Sequence, residues 1–343
     1  MTRILLLGFA EHSFTETQLD QLRAAAPDMQ LVRTNDRQQI EAMLADEEAQ
    51  VEIVAGALAP DLLPRARHLR WYQQWGAGAD WLFDHPALQQ MDFILTNASG
   101  VHAVPISEHI IALLLAFARD LPRALHAQTQ HVWISNQFQR YSLKDAQAEA
   151  GRYRSEHDLF ELADKTLLLL GVGGIGARTV RLAAALDMRV IGVRRDPGQM
   201  MAGVAQMVGP DQLLAVLPEA DFVVITIPLT PETRGLFDRR AFAAMRANAY
   251  LINIGRGEIV VEPDLIEALQ AGRIAGAGLD VFADEPLPPD SPLWDMDNVI
   301  VTSHYAGLTP RYDERALAIF LDNLHRYRRG EPLRNVVDKM LGY

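Results

Sequence analysis

Gly171-Val172-Gly173-Gly174-Ile175-Gly176 restricts how this chain can fold more than any other segment. The apolar run Thr166 to Leu170 leads into it, and a helical pattern from Ala177 to Leu186 leads out. In a strand-to-helix turn of this form the first glycine permits the tight bend. The second lets backbone approach a pyrophosphate, and the third lets helix pack closely on strand. The helix N-terminal amides and dipole favour an anion at the same point. A glycine-rich turn also serves as a plain strand–helix connection with no ligand, so its meaning depends on the surrounding pattern.

That pattern is a series of short apolar runs. Arg189 to Val193, Phe222 to Thr226, Tyr250 to Ile254, Gly276 to Val281 and Val299 to Thr302 read as further strands. Spaced by helix-length segments, they predict a doubly wound parallel sheet. Upstream, Ile4 to Phe9, Val51 to Ala55, Leu69 to Gln73 and Phe93 to Asn97 read as strands, with a helix from Thr15 to Ala26. A length of 343 residues, at about 150 residues per domain, gives two domains. The expected class is α/β with two Rossmann-like doubly wound domains, the first flavodoxin-like.

The long apolar helix Ile106 to Arg119 has Pro105 at its start. Residues 126 to 158 read as helix ends and loop. The amphipathic helix Arg311 to Tyr327 is expected to return to the first domain. Residues 1–99 with 308–343 are accordingly expected to form a discontinuous substrate-binding domain, and 100–307 the dinucleotide-binding domain.

Charge narrows the partners. There are 44 acidic side chains against 32 basic ones, a net charge of −12. This is the wrong sign for a surface that neutralises nucleic-acid phosphates, so no nucleic-acid partner is expected. The sequence contains no cysteine, which excludes disulfides, thiolate metal sites and cysteine nucleophiles. No metal is expected, and a cytoplasmic location fits. The longest wholly apolar run, Ile110 to Ala118, falls short of the roughly 20 residues that span a bilayer. Ile4 to Ala10 reads as a first strand rather than a signal-peptide core, because only Arg3 precedes it and Glu11-His12-Ser13 follows.

Ionisable groups collect near the C-terminal ends of successive predicted strands, where a doubly wound sheet places its ligand crevice. The segments are Asn253-Ile254-Gly255-Arg256-Gly257, Asp280-Val281-Phe282-Ala283-Asp284-Glu285-Pro286-Leu287 and Ser303-His304-Tyr305-Ala306-Gly307. An arginine, a glutamate and a histidine delivered there suit reduction of a 2-keto acid. Arg256 holds a carboxylate and polarises the adjacent carbonyl; the His304 imidazolium donates a proton to the forming alkoxide. Glu285, hydrogen-bonded to that imidazole, favours its protonated form. Each residue has a plainer reading: a loop salt bridge for Arg256, a solvated turn for Glu285, a satisfied core histidine for His304. Asp280 equally suits a loop brace.

With these segments in place the chain resembles the D-isomer-specific 2-hydroxyacid dehydrogenase family, in its glyoxylate/hydroxypyruvate reductase-like, NADP-type form. The similarity runs from about Leu69 to Asn335. Besides the fingerprint and the three segments above, it rests on Trp75-Gly76-Ala77-Gly78-Ala79-Asp80, Thr96-Asn97-Ala98-Ser99-Gly100, Ser107-Glu108-His109 and Ile227-Pro228-Leu229-Thr230-Pro231-Glu232-Thr233. The resemblance implies that Arg256, Glu285 and His304 are the catalytic three. It implies a cofactor site built from Gly171, Gly173, Gly174, Ile175, Gly176, Ile227, Pro228, Thr233, Ile254, His304 and Gly307, with Asp280 facing the nicotinamide carboxamide. It also implies that amides around Gly76, Ala77 and Gly78 hold the substrate carboxylate, that two domains close over a cleft, and that the chain is a homodimer. Formate dehydrogenases of the superfamily carry glutamine where this chain has Glu285.

Two departures from the family pattern stand out. Trp71-Tyr72-Gln73-Gln74-Trp75 is aromatic: Trp71 and Trp81 suit core packing, whereas Trp75 suits the substrate-pocket wall. After the strand Arg189 to Val193 come Arg194 and Arg195, where an NAD site carries an acid for the ribose 2′-hydroxyl. Two guanidinium groups there suit a 2′-phosphate. Asp196 would be the ribose acid after a small register shift, but Pro197 places it in the turn. NADP(H) is the expected cofactor, with NAD(H) possible.

The helix Ile106 to Arg119 carries more apolar residues than one buried face requires, including Ile106, Ile110, Leu113, Leu114 and Phe117. This predicts a two-fold homodimer through it, with burial inside one chain as the alternative. The expected activity is hydride transfer between NAD(P)H and a small 2-keto or 2-hydroxy acid. The rivals are a dinucleotide-sensing binding protein of the same fold and a methyltransferase. The last leaves the ordered arginine, glutamate and histidine without a purpose.

Overall fold

Ile4, Leu5, Leu6 and Leu7 are all buried, so strand β1 (Thr2–Gly8) is covered on both faces, as parallel sheets require. The computed structural model describes residues 2–10, 13–133 and 159–343. β1 is followed by α1 (Glu16–Ala25), β2 (Gln30–Arg33), α2 (Arg37–Ala45), β3 (Ala49–Gly56), β4 (Trp71–Gln73), α3 (Pro86–Gln89) and β5 (Ile94–Thr96). The strands form one sheet in the order β2-β1-β3-β4-β5, every pair parallel. This is the flavodoxin-like arrangement, with its switch point between β1 and β3.

Helices α4 (Ala103–Ala118) and α5 (Leu121–Thr129) precede a second sheet. It contains β6 (Thr166–Leu170), α6 (Gly174–Ala185), β7 (Arg189–Val193), β8 (Gln206–Val208), α7 (Leu213–Val216), β9 (Phe222–Ile225), α8 (Arg239–Ala244), β10 (Tyr250–Asn253), α9 (Glu262–Gln270), β11 (Gly276–Leu279) and β12 (Val299–Val301). Its seven parallel strands run β12-β11-β10-β9-β6-β7-β8. The fingerprint strand β6 therefore lies beside the reversal of strand order, where such sheets bind dinucleotides. The last helix, α10 (Tyr312–Arg329), lays Ala316, Leu317, Phe320 and Leu324 into a cluster with Leu5, Leu7 and Trp71 of the first sheet and Leu19 and Leu22 of α1.

Met1–His102 and Leu308–Tyr343 thus make one compact unit, and Ala103–Gly307 the other. Both sheets carry apolar side chains on each face. The α/β class with two doubly wound sheets is the one the sequence implies. Strands β2 and β8 and helices α2, α3, α5, α7, α8 and α9 are not among the elements expected from the sequence. β2 and β8 lie at sheet edges and are mostly half-exposed, so neither shows a continuous apolar run. Of the stretch 126–158 read as helix ends and loop, residues 134–158 lie outside the described residues, and α5 ends at Thr129. Among the described residues no helix is long and apolar enough to cross a membrane.

The face of α4 that suggested a dimer is used inside the chain. Ile106, Ile110, Leu113, Leu114 and Phe117 pack with Leu167, Leu169, Val180 and Ile252 of the same unit. Burial within one chain accounts for those five residues. Three apolar side chains stay exposed in this region, Leu115 on α4 and Leu121 and Leu125 on α5, among exposed polar residues such as Glu108 and Gln128.

Candidate active site

The fingerprint glycines show why no other residue fits two of their positions. Gly171 has φ +94°, and an added Cβ would lie 2.8 Å from Thr226 Oγ1. A Cβ at Gly176 would sit 2.2 Å from the Gly171 carbonyl oxygen, so helix α6 could not approach β6. Gly173 differs, because a Cβ there meets nothing within 4 Å. Gly173 caps α6, no side chain bonds the first-turn amides, and Gly174 and Ile175 supply the first two. Open space over uncapped helix amides fits a pyrophosphate.

Arg194 follows β7 half-buried, and its amide donates to the Val208 carbonyl at 3.1 Å. Arg195 is exposed. Asp196 accepts the Gly198 amide at 3.2 Å, which places this acid in the turn beyond the strand. The Ile227–Thr233 segment is closed on itself: the Thr233 hydroxyl donates to the Pro228 carbonyl at 2.8 Å and accepts from the Thr230 amide at 2.8 Å. The Glu232 carboxyl is held below the usual carboxylate range, first by a hydrogen bond from Thr230, with the charge of Arg195 adding.

Arg256, Asp280 and His304 follow the C-terminal ends of three adjacent strands, β10, β11 and β12. Asn253 pins the first loop by accepting the Gly255 amide at 3.1 Å and donating to the Arg256 carbonyl at 2.9 Å. Ile254 is buried under it. Arg256 is half-buried, its Nη1 donating to the Gly255 carbonyl at 2.9 Å. Gly257 lies so close to the next loop that a Cβ would overlap the Phe282 carbonyl carbon at 1.9 Å. Glu285 and His304 meet directly, with Oε2 and Nδ1 2.6 Å apart, and Glu285 Oε1 accepts the Phe282 amide at 3.0 Å. His304 has φ +51° and its side chain is half exposed. Gly307 ends the unit.

The expected substrate turn belongs to the other unit. There the carbonyls of four consecutive residues are all occupied. Trp75 accepts from the Tyr312 hydroxyl at 2.6 Å, Gly76 from the Ala98 amide at 3.0 Å, and Ala77 from Asn97 Nδ2 at 2.8 Å. Gly78 accepts from Gln74 Nε2. No amide of Gly76, Ala77 or Gly78 donates to an acceptor among the described residues. These backbone donors are left for a ligand or water. Gln74 is itself oriented by Trp81, whose Nε1 donates to Gln74 Oε1 at 2.7 Å.

Trp75 is placed differently from the expectation. At 9% exposure its ring packs edge-on against Phe9, Phe14 and Phe320, and its Nε1 donates to Asp313 at 3.1 Å. The backbone of Trp75 shapes the turn while its ring belongs to the core. Trp71 is fully buried in the core, whereas Trp81 is half-buried at the border of its cluster.

Fold and site together define a Rossmann-type nucleotide-binding protein equipped for acid–base chemistry. A family model described as the D-isomer specific 2-hydroxyacid dehydrogenase, NAD binding domain, matches residues 111–306. The chain is 34% identical to a D-3-phosphoglycerate dehydrogenase of Methanocaldococcus jannaschii over 81% of its own length, spanning about half (49%) of that relative. It is 35% identical to glyoxylate/hydroxypyruvate reductase B of Pectobacterium carotovorum, over 82% of this chain and 83% of the other. A crystal structure of a D-isomer specific 2-hydroxyacid dehydrogenase from Xanthobacter autotrophicus, in complex with NADPH and MES, superposes with a TM-score of 0.80. The two chains share 30% identity, with both covered in full. The chain belongs to the D-isomer specific 2-hydroxyacid dehydrogenase family.

Proposed function

We propose that this protein reduces a small 2-keto acid to the D-2-hydroxy acid, with NADPH preferred over NADH. The observation that carries the reading is the 2.6 Å contact between Glu285 and His304 in the unit that also presents Arg256 at a strand end. A bound nicotinamide dinucleotide supplies the hydride. The carbonyl oxygen takes its proton from His304 Nε2, because Nδ1 is engaged by Glu285. Arg256 pairs with the substrate carboxylate and polarises the adjacent carbonyl. The amides of Gly76, Ala77 and Gly78 are assigned to substrate carboxylate binding.

The cofactor would sit on the amides of Gly173, Gly174 and Ile175, with Gly171 and Gly176 shaping the turn and Ile227, Pro228, Thr233, Ile254 and Gly307 bordering it. Arg194 and Arg195 are assigned to the 2′-phosphate, and the turn bond from the Gly198 amide to Asp196 supports leaving that acid off the ribose. The relative of known structure bound NADPH, which supports the same choice here. Residues 1–99 with 308–343 serve as the substrate domain and 100–307 as the cofactor domain. The protein is read as a homodimer through the helix Ile106 to Arg119, a reading that the exposed Leu115, with Leu121 and Leu125 of α5, supports. Initial rates with glyoxylate, hydroxypyruvate, phenylpyruvate and branched 2-keto acids, each with NADPH and NADH, test the proposal. Oxidation of neither cofactor by any of these acids would overturn it.

A further inference from the structure

Asp280 is 2% exposed, and its carboxylate is used within the chain. Oδ1 accepts the Thr302 hydroxyl at 2.6 Å and the Tyr305 amide at 3.1 Å, while Oδ2 accepts the Ala306 amide at 3.1 Å. Its carbonyl accepts the His304 amide at 2.9 Å. Every one of these bonds ends on the loop that carries His304.

Thr302 has one hydroxyl hydrogen, and the 2.6 Å contact directs it to Asp280. That bond takes precedence over the 3.5 Å approach of the same hydroxyl to the Leu279 carbonyl, and toward a ring nitrogen the hydroxyl then acts as acceptor. The partner is His109 of α4, whose Nε2 lies 3.2 Å away. Its Nε2 therefore carries a hydrogen and donates it. Burial pushes the His109 imidazole below its ordinary value of 6.5, with the charge of Asp280 opposing, which favours the neutral ring. The ring also stands edge-on to Tyr305, with centroids 5.7 Å apart. His304, between these anchored residues, has φ +51°. For a residue with a side chain this conformation is disfavoured and persists only where the surroundings over-determine it.

We infer that His109, Thr302 and Asp280 form a positioning relay that fixes the backbone of His304 and so aligns its imidazole with Glu285. The inference rests on the catalytic role proposed for His304. It gives Asp280 a duty apart from any contact with cofactor, and gives Thr302 and His109 duties of their own.

Two isosteric pairs test the relay. Thr302→Val keeps the side-chain shape without the hydroxyl, and Thr302→Ser keeps the hydroxyl; His109→Phe removes the donor, and His109→Gln restores an N–H. Thr302→Val should lower kcat for 2-keto acid reduction by about 10- to 100-fold, the scale of a misplaced catalytic group. Dinucleotide Kd, read by fluorescence titration, should stay within about twofold, and Thr302→Ser should recover most of the rate. His109→Phe should act in the same direction and His109→Gln should rescue it. The double variant should lose no more than Thr302→Val alone, because one chain is broken once.

Unchanged kcat in both folded Thr302→Val and folded His109→Phe would overturn the relay. So would a rate loss matched by an equal loss of dinucleotide affinity, which would place Asp280 on the cofactor instead. If the wild-type protein reduces no 2-keto acid, the functional reading fails and the relay is judged by proton NMR. The His304 Nδ1–H resonance, shifted downfield by its short bond to Glu285, should then be present in wild type and lost in Thr302→Val. Its persistence in that variant would sink the relay on its own.

Discussion

Glu285 holds His304 with one oxygen and its own loop with the other. Oε2 lies 2.6 Å from His304 Nδ1, while Oε1 accepts the Phe282 amide at 3.0 Å. The carboxylate therefore cannot swing away from the imidazole without giving up a backbone bond. A carboxylate only accepts, so the hydrogen between them sits on Nδ1 and Nε2 is left to deliver a proton.

His304→Ala should lower kcat for 2-keto acid reduction by about 100- to 10,000-fold, the usual worth of a general acid. Dinucleotide affinity should hardly change. Turnover and equilibrium titration on the same preparation check this, and a variant keeping most of its turnover would remove His304 from the mechanism.

Arg194→Ala should shift cofactor choice. A hydrogen bond to a charged group is worth about 1.5–3 kcal/mol, so the ratio of kcat/KM with NADPH to that with NADH should fall by about ten- to a hundredfold. Arg195→Ala should act the same way, and less strongly if Glu232 draws part of its charge. An unaltered ratio in both variants would return these arginines to the solvent.

Gln74→Glu should raise KM for the 2-keto acid by about tenfold and leave the KM of the dinucleotide alone. The change keeps an acceptor for Trp81 Nε1 but turns a lone pair toward the Gly78 carbonyl, where Gln74 now donates. It also sets a negative charge beside three free amides. Gln74→Met separates the two effects, since it removes the donor without adding charge.

The position of His109 makes part of the stability acid-sensitive. Its proton affinity is lower in the fold than in the unfolded chain, because burial outweighs the opposing charge of Asp280; Thr302 and the Tyr305 ring are its other neighbours. Below its ordinary 6.5 the unfolded chain binds the extra proton, so stability is full above that pH and falls as the medium is acidified. Melting curves from about pH 7.5 to about pH 5.5 should show a smaller loss of Tm in His109→Gln than in wild type. Parallel curves would disprove the point.

Leu125 is 62% exposed on α5 and lies with exposed Leu121 and Leu115 on the outer surface of its unit. Sedimentation should find a dimer at micromolar concentration in wild type and a monomer in Leu125→Glu. A monomeric wild type would end the dimer reading.

What the sequence conveys of this fold depends on how local each signal is. The fingerprint is legible because its strand, glycines and helix are contiguous. β2 is not, because an edge strand of Gln30–Arg33 is mostly half-exposed and offers no apolar run. Arg256, Glu285 and His304 stand out as charged residues just past apolar strands. Thr302 and His109 do not, because their bond joins positions 193 residues apart. Asp280 shows the limit well: its residue type fits a cofactor contact and a loop brace equally, and only the three donors around it show the brace. Trp75 misleads for a related reason, since nothing near it in the chain announces Phe320.

The overlap a side chain would make at Gly257 has a consequence for how such a site can change. The Arg256 loop rests on Phe282 and Ala283, and Phe282 also donates to Glu285. Arg256 and Glu285, proposed above for the anion and for the acid, therefore share one mechanical degree of freedom. Neither can be retuned while the other stays still. New substrates must then be accommodated by residues outside this pair of loops, and the chemistry they carry is inherited as a block.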